Sequence, residues 1–65
     1  MTTHTSGPTL TVRIEMDGAA FDGRMATETC RILMHLATRL GRCDTDGKLL
    51  DTNGNQCGTF AIEEG

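Results

Sequence analysis

The Asn53-Gly54 pair within the segment 52–55 constrains the fold more than any other feature of the chain. Asn-Gly is the preferred pair for a two-residue type I′ turn, in which both central residues have positive φ. Such a turn fixes the pairing of the strands that flank it, and therefore the side of the sheet on which each side chain lies. The sequence thus predicts a hairpin between strands at 48–51 and 56–63.

A two-residue loop would place Leu49 opposite Gly58 and Leu50 opposite Cys57. A three-residue loop would set Leu49 beside Cys57 and divide the large apolar side chains between the two sides, so we favour the two-residue loop. Leu49, Phe60 and Ile62 then share one side of the sheet. The other side carries Leu50, Cys57, Thr59 and Ala61.

Two further segments have regular hydrophobic periodicity. Residues 10–16 alternate apolar and polar side chains without a fault, which predicts a strand with one buried and one wet face. Residues 24–40 have helical period, with Asp22 as the expected N-cap, Phe21 as a hydrophobic staple and Gly41 as the expected residue after the helix. The expected buried stripe consists of Met25, Ala26, Thr29, Cys30, Ile32, Leu33, Leu36, Ala37 and Leu40.

These elements predict an α+β fold of order β-α-β-β, with one amphipathic helix packed on one face of a three-stranded sheet. We favour the spatial strand order 1-3-2, because the helix is long enough for a right-handed crossover over the intervening position. An order in which strands 1 and 2 are adjacent and parallel stays open. Residues 9–64 form one small domain in this interpretation, and residues 1–8 form a disordered tail.

The composition disfavours several classes of function. Nine acidic and six basic residues give a net charge of −3, which is the wrong sign for binding nucleic acid mainly through phosphates. Three cysteines form no disulfide framework, and neither a signal peptide nor an apolar run of membrane-spanning length is present. The sequence therefore predicts a cytoplasmic protein with reduced thiols.

The side chains that bear chemistry are not spaced for catalysis or metal binding. The candidate zinc ligands lack any paired spacing; they are His4, Cys30, His35, Cys43 and Cys57. The segment 51–55 begins like an EF-hand loop, but it has Gln56 and Ile62 where that loop requires Gly and Glu. Cys30 and His35 lie about 140° apart around the helix and cannot form a dyad. We expect no enzyme activity, no cofactor and no metal.

The sheet face opposite the helix is the first candidate for binding, because nothing in so short a chain is left to cover it. A homodimer or another protein would suit such a face, and the short second strand would be an exposed edge open to pairing. The acidic loop before that strand would meet a basic partner. The candidate partner-binding residues are Arg13, Glu15, Asp44, Asp46, Leu50 and Thr59.

The alternative function is a small nucleic-acid-associated regulator that uses the outer face of the helix. Arg24, Arg31 and Arg39 share this face with Glu28, His35 and other polar residues. Because Glu28 can pair with Arg24 or Arg31 at helical spacing, a solvated face is the simpler interpretation. The acidic total of the chain also counts against contact with nucleic acid.

Three short patterns together resemble a group of small, mostly uncharacterised proteins of bacteriophages, prophages and other bacterial mobile elements. They are Ala19-Ala20-Phe21, the helix pattern from Arg31 to Leu40, and Leu50-Asp51-x-Asn53-Gly54-Asn55-x-x-Gly58. The resemblance covers residues 10–63, with Cys57 where the group has valine. It implies a fold type and no catalytic residue. By analogy with phage-borne inhibitors such as anti-CRISPR and anti-restriction proteins, it implies a host or phage protein as partner.

Overall fold

The computed structural model describes residues 7–64. Its elements in chain order are β1 (Thr9–Ile14), a 3₁₀ turn (Ala19–Phe21), α1 (Met25–Gly41), β2 (Asp46–Leu50) and β3 (Gln56–Glu63). The expected tail comprises residues 1–8. Residues 1–6, including His4, lie outside the described residues, and Gly7 and Pro8 precede β1 without regular structure.

The predicted α+β fold is confirmed. The three strands form one antiparallel sheet in the order β1-β3-β2, so the parallel alternative is excluded. Val12 of β1 lies opposite Phe60, and Leu49 of β2 lies opposite Gly58, as the sequence predicts for Leu49. The core consists of Ala20, Phe21, Ile32, Leu36, Leu49, Cys57 and Phe60.

The prediction of a type I′ turn is wrong. Only Gly54 has positive φ in the loop, at 84°, and the loop has three residues, 52–54. Asp51 closes it, because its carbonyl accepts the N–H of Gly54 at 2.9 Å and its carboxylate accepts the N–H groups of Asn53 and Asn55 at 2.9 Å each. The carboxylate of Asp51 thus holds a wider turn in which one left-handed residue suffices.

The longer loop and the predicted pairing of Leu49 with Gly58 coexist because β3 contains a bulge. Leu50 lies opposite Gln56, so its predicted pairing with Cys57 is wrong and Cys57 is an extra residue in β3. A bulge re-aims the side chain of the extra residue. Cys57 is consequently buried with the core instead of lying on the open sheet face, and its thiol lies 3.5 Å from the carbonyl oxygen of Leu49.

The helix is rotated from the expected orientation. Glu28, Ile32 and Leu36 are its buried residues, whereas Leu33 is 45% exposed and Met25 is exposed as well. We attribute this orientation to Glu28, whose carboxylate accepts one hydrogen bond from the hairpin, the backbone N–H of Thr52, and so ties this side of the helix to the end of β2.

The predicted helix ends also differ. Arg24, not Asp22, occupies the N-cap position, and it makes no side-chain cap. Phe21 is buried in the core, in the 3₁₀ turn that leads into the helix. Gly41 lies inside the helix, and Cys43 takes the left-handed conformation expected of that glycine, with φ of 69°.

The sheet face below the helix is only partly covered. Leu10 and Val12 lie on the same face as Phe60, yet they are 44% and 36% exposed. The helix contacts β2, and its Ile32 and Leu36 share the core with Phe60 of β3. The expected burial of the apolar side of β1 is wrong for Leu10, Val12 and also for Met16.

Candidate functional site

An exposed apolar surface lies on the side of the sheet that carries the helix. It consists of Leu10, Val12, Met16, Met25 and Leu33, and we refer to it as the apolar surface. Isolated exposed apolar residues are ordinary, but several large ones on one side of a 65-residue protein are typical of an interaction site.

Within this surface the helix meets the segment that follows β1. The hydroxyl of Thr29 lies 3.1 Å from the sulfur of Met16, which joins the helix to the segment after β1. Met25 and Leu33 lie one turn before and one turn after Thr29, on the same line of the helix. Met16 is flanked by the exposed acidic residues Glu15 and Asp17, so an acidic rim borders one end of the apolar surface.

The opposite sheet face is polar. Thr59 lies in β3 between Arg13 on one side and Lys48 on the other, and Arg13 pairs with Glu15 at 3.4 Å on the exposed surface. The structure thus brings Arg13, Glu15 and Thr59 together. The expected mildly apolar character of this face is wrong for Cys57, which the bulge removes to the core.

The remaining candidates lie apart from that group. Asp44, in the loop before β2, pairs with Arg39 at 3.6 Å and with Arg42 at 3.5 Å. Asp46 begins β2 opposite Ala61, and the half-exposed Leu50 ends it opposite Gln56, so the two are at opposite ends of the strand.

The edge of β2 is covered, contrary to the expectation of an open edge. Arg31 donates a hydrogen bond to the carbonyl oxygen of Leu50 at 3.2 Å, and Arg39 donates one to that of Lys48 at 2.5 Å. These two carbonyls point away from β3, where another strand would pair. Side chains from the helix therefore block the edge.

The same contacts bear on the nucleic-acid alternative. Arg31 also pairs with the carboxylate of Glu28 at 2.8 Å, and the guanidinium of Arg39 lies 4.8 Å from the ring centre of Phe60. Arg24 is the N-cap residue of the helix, and its charge acts on the same Glu28 carboxylate. Two of the three candidate arginines thus have structural partners, and the structure does not assemble them into a free basic patch.

Sequence reasoning missed the role of Glu28, which is only 4% exposed. Its carboxylate accepts the N–H of Thr52 at 2.7 Å and two hydrogen bonds from Arg31. Hydrogen bonding from Arg31, together with that N–H, lowers the pKa of Glu28 despite the opposing effect of burial. Glu28 lies four residues before Ile32 and eight before Leu36, which places all three on one side of the helix. This spacing was the sequence signal that could have indicated its burial.

The three thiols differ in their burial. Burial, reinforced by the charge of Asp51, raises the pKa of Cys57, which keeps this thiol protonated and poorly nucleophilic. Cys30 and Cys43 are exposed and free. In the described part of the chain, no three His, Cys, Asp or Glu side chains are placed to hold a metal ion together.

A groove of about 520 Å³ runs between the helix and β2, with Ile32, His35 and Leu49 among its lining residues. Arg31 and Arg39 line it and also bind the carbonyls of β2. Two of the polar side chains in the groove are thus engaged in holding the helix to the strand, so we consider the apolar surface the stronger candidate site.

We found no match to the chain among family models, curated proteins or solved structures. Within the described range, the one α-helix is too short and too polar to cross a membrane.

Proposed function

We propose that this protein is a binding module that acts by covering an apolar site on another protein, and that it performs no catalysis. The single observation that carries this proposal is the position of the helix, which packs on the sheet mainly against β2. In this position Leu10 and Val12 of β1 stay exposed, as do Met25 and Leu33 of the helix. Burying such side chains would contribute on the order of 25 cal/mol for each Å² removed from water.

The chemistry of the surface describes the partner. Two of its five members are methionines, whose flexible side chains adapt to irregular partner surfaces. Glu15 and Asp17 border Met16, and the chain carries a net charge of −3. A partner site with an apolar centre and a basic rim fits these features, because complementary charge speeds encounter and sets orientation.

The narrower proposal concerns the source of that partner. The resemblance to phage, prophage and mobile-element proteins supports a bacterial host protein in the cytoplasm as the partner. Inhibition of a host defence protein, in the manner of anti-CRISPR or anti-restriction proteins, is the proposed consequence of binding. This analogy supports the kind of target and assigns no residue.

We expect Leu33→Glu to reduce partner capture at least tenfold, because it introduces a charge into the apolar surface. The measurement is quantitative mass spectrometry of proteins captured from bacterial lysate by the tagged wild type and by the variant. Leu33 is already exposed, so thermal unfolding of the variant should match that of the wild type.

Met34→Glu is the matched control, because Met34 neighbours Leu33 on the same helix but is 65% exposed on another side. Its captured proteins should equal those of the wild type. Asp46→Lys tests the acidic-loop alternative and should also leave capture unchanged. Equal capture by Leu33→Glu and the wild type would contradict the proposed role of the apolar surface.

A further inference from the structure

The outer edge of β1 has hydrogen-bonding groups that nothing in residues 7–64 satisfies. The N–H of Glu15, the residue after β1, donates to the carbonyl of Cys57. The backbone N–H and C=O groups of the odd-numbered residues of β1 therefore face β3. The N–H of Ile62 donates to Thr45, which places the even-numbered residues of β3 towards β2. By the alternation of an antiparallel ladder, the backbone groups of Leu10, Val12 and Ile14 point outwards.

The two edges of the sheet thus differ. Arg31 and Arg39 occupy the outward carbonyls of β2, whereas the described chain places nothing against the outward groups of β1. An uncovered edge that also carries apolar side chains is a template for pairing with another strand.

We propose that two copies of the chain pair through β1, antiparallel and related by a two-fold axis at Val12. Val12 then lies opposite the partner's Val12, and Leu10 lies opposite the partner's Ile14. The three outward-facing residues of each copy exchange hydrogen bonds, which gives a continuous six-stranded sheet of order β2-β3-β1-β1-β3-β2.

The charges of the strand select this register over its neighbours. Centred on Val12, it places Arg13 opposite a threonine, Thr11 of the partner subunit. A shift by two residues in one direction would place Arg13 directly opposite the partner's Arg13, and like charges in that position are destabilising. The shift in the other direction would pair Ile14 with the partner's Pro8, which has no N–H to donate. Shifts by one residue would turn the apolar side chains to opposite faces.

The size of the domain favours a second copy as the occupant of this edge. The buried core has seven hydrophobic residues, and domains of this length usually require oligomerisation or another support. Because the axis is perpendicular to the sheet, both helices lie on one side and the two apolar surfaces become neighbours. Three paired residues form a small interface, so the dimer is weak.

The first test is mass in solution, by light scattering and sedimentation from about 5 to 500 µM, a range that covers weak transient interfaces. We expect a concentration-dependent rise towards twice the chain mass of 7.0 kDa. Hydrogen exchange should slow at the amides of Leu10, Val12 and Ile14 as the dimer forms. A chain that stays at 7.0 kDa throughout, or that shows no slowing at these amides, overturns the proposal.

Val12→Pro should abolish the dimer and preserve the monomer fold, because it removes an outward N–H and edge strands tolerate proline at such positions. Val12→Thr keeps both the N–H and the branched side chain, and it should still dimerise. Val12→Lys is a second variant that keeps the backbone, and it should also abolish the dimer by placing two ammonium groups at the axis. A dimer that persists in Val12→Pro and Val12→Lys contradicts pairing through β1.

This inference goes beyond the proposed function and does not depend on it. Leu33→Glu changes the helix and leaves the backbone of β1 intact, so it should lose partner capture and keep the dimer. Val12→Pro should show a monomer whether or not partner capture survives. The two proposals can therefore fail separately.

Discussion

Gly58→Ala should unfold most of the protein. An added Cβ at this position would overlap the carbonyl oxygen of Arg13 and lie 3.1 Å from the Cα of Ile14. These are backbone atoms of the paired strand β1, which cannot turn aside as a side chain could. We expect a loss of about 2–4 kcal/mol, comparable with the whole stability that a single core of this size supplies. Urea and thermal unfolding followed by circular dichroism measure it.

Gly41→Ala is the matched control for this prediction. Gly41 is the last residue of the helix, and a Cβ there would meet nothing within 4 Å. Alanine should leave stability unchanged or raise it by about 0.5–1 kcal/mol through its better helix propensity. A Gly58→Ala variant with the Tm of the wild type would show that β1 and β3 do not approach each other this closely.

The sequence was sufficient to predict the order of the strands and the presence of the helix. Seven residues of alternating pattern and one long amphipathic segment leave few ways to bury the same apolar set. The pairing of Leu49 with Gly58 was correct for an incomplete reason. The loop is one residue longer than predicted, and the one-residue bulge in β3 restores the predicted pair beyond it. Hydrophobic periodicity predicts neither feature.

The failures concern side-chain carboxylates that accept hydrogen bonds from backbone N–H groups. Asp51 selects the turn through hydrogen bonds to two backbone N–H groups, and the Asn-Gly pair is compatible with both turn types. Glu28 accepts the N–H of Thr52 from 24 residues away, so its burial depends on a contact that no local pattern contains.

The same contact explains why the apolar surface was not foreseen. Periodicity placed Leu33 in the core because the helix stripe was centred by hydrophobicity alone. Once Glu28 and the arginines bind the hairpin, the helix turns and moves towards β2. Leu33 and the apolar side of β1 then remain exposed, and the candidate site shifts from one face of the sheet to the other.

Glu28→Gln should lower the free energy of unfolding at neutral pH. It should also reduce the loss of stability that the wild type shows when the pH is lowered. The pKa of Glu28 is lowered in the folded chain from an ordinary value of 4.5, chiefly by hydrogen bonding from Arg31. A lowered pKa means that the carboxylate stabilises the fold above the ordinary value and that this contribution is lost as the pH falls through the folded pKa. Glutamine retains the shape of the side chain, but it lacks the charge that pairs with Arg31 and has one acceptor oxygen where Glu28 uses two.

Thermal unfolding of the wild type and of Glu28→Gln between pH 7 and pH 3 measures this effect. The Tm values should differ most at pH 7 and converge as the wild-type carboxylate takes up its proton. Glu15→Gln is the control, because Glu15 pairs with Arg13 on the exposed surface and such pairs contribute little. Parallel Tm curves for the wild type and Glu28→Gln across this pH range would contradict a buried carboxylate that holds the helix to the hairpin, and with it the cause of the exposed apolar surface.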